Sequence, residues 1–161
     1  MTNIQTEIKQ LVETLGVSDV GFCHTEDGAG GLCNAVSIVV HLSPAILAEV
    51  QDKPTHTYFN HYRSVNAFID HCLLRVGLLL DKHGYRYITV ASSQSINDEG
   101  WFYRGRYSHK KIACLAGLGN MGNNCLCTGQ IFCNYLKPVQ ETFGIIVCTQ
   151  VFREIGICNA S

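Results

Sequence analysis

The sequence is short of the features that announce a function. Twelve basic residues stand against thirteen acidic ones along 161 residues, a formal net charge of -1, so it carries no strong footprint for a nucleic-acid backbone or an anionic membrane. Nowhere does an apolar run approach the roughly 18 residues that a membrane span requires. The opening stretch, MTNIQTEIKQLVETLG, has neither a basic leader nor an apolar run, which argues against a secretory signal and makes the cytoplasm the expected compartment. The seven histidines form neither HxxxH nor HExxH, so the spacings of a zinc helix are missing. No internal repeat, low-complexity tract or linker divides the chain.

What is present is a core. Hydrophobic residues make up 47% of the chain and charged residues 16%, and a domain of this length buries roughly two thirds of its unfolded surface. One domain spanning 1–161 is therefore expected. Nine cysteines, at 23, 33, 72, 114, 125, 127, 133, 148 and 158, form an odd set in a chain without an export signal, so reduced, buried thiols are expected rather than disulfides. Cys125 and Cys127 form a CxC pair that, on a strand, would point one way and could converge with Cys133 or Cys114. The CxxCxxC spacing of an iron–sulfur site is absent, and no iron–sulfur cluster is expected in this chain.

Periodicity places the elements. Thr2 and Gln5 suggest a capping box, and Ile4, Ile8, Leu11 and Leu15 line one side of a helix ending at Gly16. SDVGFC (18–23) and AVSIVVHL (35–42) read as strands, the second fully buried, and Ser43-Pro44 opens a short helix, PAILAEV. Between Pro54 and Gly84, Tyr58, Tyr62, Val65, Ile69, Cys72, Val76 and Leu79 recur at alternating steps of four and three, with Arg63, Asn66, Asp70 and Lys82 off that stripe. This pattern predicts one long helix across the core, capped by Gly84. YRYITVA (85–91) follows as a strand, then a polar, aromatic loop over 92–107 of the length that functional loops have. Ser108 caps a helix through HKKIACLAGL, and NCLCT and FGIIVCTQVF (143–152) read as further strands.

Gly117, Gly119 and Gly122 stand in the order GxGxxG. A dinucleotide loop needs the first glycine after a strand and the last opening a helix, so that phosphate meets free amides. Here the helix comes first, so the glycines close a helix and turn the chain toward a strand. No GK[ST] follows, which excludes a Walker A loop. At the start of the same helix, Ser108, His109 and Lys110 offer a hydroxyl, an imidazole and an ammonium to an anion or a cofactor edge, or else form a capped, solvated first turn.

SHKKIACLAGLGNMGNN resembles the SHKxAAxxAGLGWIGKN signature of the epoxyqueuosine reductase-like proteins, iron–sulfur corrinoid reductases. PTHTYFNHYRSVNAFID is similar to that family's Tyr-rich helix, GYRYITVASSQ to the strand and ASQ turn after it, and AVSIVVHLSPAIL to its early buried strand. The likeness runs from about residue 5 to 150. It implies an α+β fold, a mixed sheet flanked by helices like those of flavin nitroreductases and cobalamin-processing proteins, and cobalamin as cofactor. Family members draw electrons from a ferredoxin-like domain, so the resemblance implies a separate ferredoxin-type donor here. By the same resemblance, the corrinoid would lie against Tyr58, His61, Tyr62 and Arg63, Ser93 and Gln94, Ser108 to Lys110, and the turn of Gly117, Gly119 and Gly122. Asn120 and Asn123 replace the signature's tryptophan and lysine, removing an aromatic wall and a cation. The family's proton-donating acid has only Asp98 and Glu99 as counterparts.

Two other expectations keep the fold and change the role. In one, FMN replaces the corrinoid and its phosphate sits at Ser108 to Lys110. In the other, the domain is a non-catalytic remnant whose exposed surface is covered in a homodimer.

Overall fold

A computed structural model describes residues 3–93, 96–98, 101–104, 106–121, 127–128 and 145–152. Its centre is a four-stranded mixed sheet. β1 (Asp19–His24) and β2 (Asn34–His41) are antiparallel, and β8 (Ile145–Phe152) lies parallel to β2 and to β3 (Tyr87–Thr89), giving the order β1-β2-β8-β3. The connection from β2 to β3 passes through α2 (Pro44–Ala48) and α3 (His56–Lys82), the kind of crossover that parallel strands require. The chain is thus a mixed helix-and-strand, α+β protein.

Side-chain alternation on β2 separates two faces. Val36, Ile38 and Val40 meet Ile8 and Val12 of α1 (Asn3–Leu15) and Val65, Ile69, Leu73, Val76 and Leu80 of α3. On the opposite face Ala35 joins Cys23, Leu32, Val90 and Ile112, the last from α4 (His109–Leu115). Helices therefore cover the sheet on both sides. Ile8, Ile38, Ile69, Leu80 and Ile112 are fully buried, each stabilising the fold by about 1.5–3 kcal/mol relative to exposure.

α3 follows the expected stripe with local differences. It starts at His56, where the Thr55 hydroxyl accepts the Tyr58 N–H at 3.1 Å, and it closes with the Gly84 N–H donating to the Asp81 carbonyl. Leu80 rather than Leu79 reaches full burial at its end, because 3.6 residues per turn carries the stripe one position on. Asn66, expected off the stripe, is 7% exposed. It falls between Val65 and Ile69, where the stripe is wide enough to enclose a polar neighbour.

Other expectations are shortened. The third strand covers 87–89, and α4 stops at Leu115. The stretch 92–107 is no plain loop, since β4 (Ile96–Asp98) and β5 (Trp101–Arg104) pair there as an antiparallel hairpin. Ser43 precedes α2 without a side-chain cap. β6 (Asn120–Met121) and β7 (Cys127–Thr128) form a second small ladder. Thr2, Cys125, Cys133 and the whole 129–144 connection lie outside the described residues.

Candidate functional site

The leading turns of α3 carry an aromatic surface. Tyr58 and Tyr62, one turn apart, stack with ring centroids 6.2 Å apart and planes 21° from parallel, and Phe59 meets Tyr58 edge-on at 6.4 Å. Phe59 is 52% exposed, whereas Tyr58 is packed partly against the core. Between them, His61 Nε2 accepts the Ser43 N–H at 3.0 Å and ties the end of β2 to α3. That nitrogen is therefore occupied. Arg63 is exposed on the same turn.

Tyr58, Tyr62, Asn66 and Asp70 follow at steps of four, and the last two hold the chain leaving β3. Asp70 Oδ1 accepts the Ser92 N–H at 2.9 Å, and the Ser92 hydroxyl donates to the Asn66 carbonyl at 3.2 Å. From the other side His109 Nε2, as a donor, meets the Ala91 carbonyl at 3.0 Å. Burial holds the His109 pKa below its ordinary 6.5, against the opposing pull of the Ala91 carbonyl and the Asp70 charge, so the ring is the neutral tautomer protonated at Nε2. α3, Ser92 and α4 thus meet along one polar seam. Asn66 Oδ1 is buried there without a hydrogen-bond partner among the described residues.

The two ends of α4 do different work. At its start the Ser108 hydroxyl accepts the Lys111 N–H at 3.3 Å. Lys111 of the same turn meets an anion, its Nζ lying 2.6 and 2.5 Å from the two oxygens of Asp27. Asp27 also accepts the Tyr107 and Thr25 hydroxyls, each at 2.8 Å. These contacts, Lys111 first, hold the Asp27 carboxyl well below the usual carboxylate range. The pair is exposed, so water and salt screen it. Sequence reasoning missed this group; Tyr107 and Lys111 stand at helical spacing, but nothing local to Asp27 points across the fold.

At its other end α4 closes in a Schellman turn. Gly117, at φ 74°, donates its N–H to the Cys114 carbonyl, and Leu118 donates to Ala113. The first glycine of the GxGxxG order therefore terminates a helix, as its position predicts. This end seats on β1 at Gly21, where an added Cβ would stand 2.8 Å from the Ala116 Cβ and 2.9 Å from its carbonyl oxygen.

The structure thus gathers Tyr58, His61 and Tyr62 on α3, and it draws Ser92, next to Ser93, together with His109 at the seam. It sets Gly117 and Gly119 at the far end of α4. Asp98 lies on the β4–β5 hairpin, while Glu99, Gln94 and Gly122 fall outside the described residues. Among the described residues no three His, Cys, Asp or Glu side chains gather to hold a metal ion, and no helix is long and apolar enough to cross a membrane. Compared with known proteins, the chain matches no family model, no curated protein and no solved structure.

Proposed function

We propose that the chain is a corrinoid-binding domain of the epoxyqueuosine reductase-like kind, carrying out reductive chemistry only with a separate electron donor. The supporting observation is the seam at which the Tyr-rich helix, the ASQ turn and the SHK helix, three stretches far apart in sequence, meet through Asn66, Ser92, Ala91 and His109. The residues suit a macrocycle fringed by amides. Tyr62, stacked on Tyr58, offers an aromatic face, and Ser93 and Lys110 are residue types that could hold the macrocycle's amides. His61 and His109 have their Nε2 atoms engaged by Ser43 and Ala91, so their part is to position backbone and not to ligate cobalt. When bound, a corrinoid would supply a low-valent metal able to reduce a substrate. The FMN reading sets its phosphate at Ser108 to Lys110, where the Ser108 hydroxyl already accepts the Lys111 N–H of the first turn.

Purified protein titrated with hydroxocobalamin tests this directly. Co-elution of the red chromophore with protein and a rise in the unfolding midpoint are expected, with Tyr62→Ala weakening binding about tenfold, the loss of roughly 1.4 kcal/mol of contact. No bound corrinoid at saturating concentration, or flavin released on denaturation instead, overturns the proposal.

A further inference from the structure

We propose that the outer side of α3 is a contact between two copies of this chain, paired antiparallel about a two-fold axis. Beside its buried stripe, α3 carries a second series at alternating steps of four and three: Ala67, His71, Leu74, Leu78 and Asp81. All five are exposed, and Leu74 and Leu78, at 49% and 51%, are two of the four large apolar side chains exposed among the described residues. That spacing is the seam of a helix pair, and none of the described residues of a single copy covers it.

The order along the seam names the occupant. A two-fold axis at the level of Val76 places Leu74 of one copy beside Leu78 of the other, and one layer further out it places His71 beside Asp81. Both contacts occur twice, as an isologous interface requires. Apolar meets apolar, an imidazole meets a carboxylate, and the small Ala67 at the next layer allows close approach. Arg75 and Lys82 border the seam on one side and Asp70 on the other, forming a polar rim. Two half-exposed leucines per copy bury far less than the roughly 800 Å² per partner of a standard interface, so the association is weak and concentration-dependent.

Sedimentation equilibrium of the full chain, without any cofactor, tests the pairing independently of corrinoid binding. A monomer–dimer equilibrium is expected, and the double variant Leu74→Asp/Leu78→Asp weakens it at least tenfold while leaving the unfolding midpoint of the monomer unchanged. His71→Glu and Asp81→Lys each weaken self-association, since the first sets a new carboxylate against Asp81 and the second sets a new ammonium against His71. Mixing those two variants restores dimers, because one contact is then between a carboxylate and an ammonium and the other is the native imidazole–carboxylate contact. A chain that stays monomeric at every concentration, self-association indifferent to the leucine pair, or a mixture that fails to associate overturns the proposal.

Discussion

His109 joins α4 to the end of β3 through a proton that it must keep on Nε2 and a charge that it must not acquire. Its folded pKa lies below the unfolded value of 6.5, so the unfolded chain takes up the proton first as pH falls. The contribution of neutral His109 is complete above about pH 6.5 and is lost as pH falls through the folded value. Unfolding midpoints measured across that window should decline in the native chain, with a shallower slope in His109→Gln, whose amide can still donate to Ala91. Ser37 presents the opposite case. It is 0% exposed and its hydroxyl has no partner among the described residues, so Ser37→Ala should raise stability by about 1 kcal/mol in a denaturant titration. A loss of stability would reveal a hydrogen bond to that hydroxyl.

The long helix and the Ser108 cap were legible because their signals are local, whereas the cap expected at Ser43 is not made and the one at Thr55 went unread. Thr55 and Ser108 each accept the N–H three residues on, and Thr55→Ala should cost about 1 kcal/mol in the same titration. Gly117→Ala should cost about 1–2 kcal/mol by forcing a side chain into the left-handed region, and Gly21→Val about 1–3 kcal/mol by pushing Ala116 off β1. An unchanged midpoint in either variant would mean that the close of α4 shifts freely. Less legible were the parts set by distant partners. Asn66 accepts the Ser92 hydroxyl at its carbonyl from 26 residues away, and the Asp27–Lys111 pair joins a turn to a helix far along the chain. The β4–β5 hairpin has strands of three and four residues, too short for an alternating pattern to stand out from a polar loop.

At the scale of the molecule, strands and helices could each be read from local patterns, and their mixture agrees with the α+β class that the resemblance implied. The strand order could not, because short apolar strands carry no signal for which neighbour they pair with. β8 joins β2 through eight residue pairs, from Asn34 with Ile145 to His41 with Phe152, and it separates β2 from β3. That placement governs when the fold can form. One of the sheet's two interior strands, β8, is the last described one to be synthesised, so a nascent chain lacking 145–152 would hold β1–β2 and β3 as two edges with a strand-wide gap between them. Refolding should accordingly be slow for a domain of this size, since its main ladder closes only after a long loop has been ordered. Stopped-flow refolding finished within a millisecond would contradict this. On the ribosome, the exposed edges of β2 and β3 would wait for most of the chain, and in that interval chaperones or a second nascent copy could compete for them.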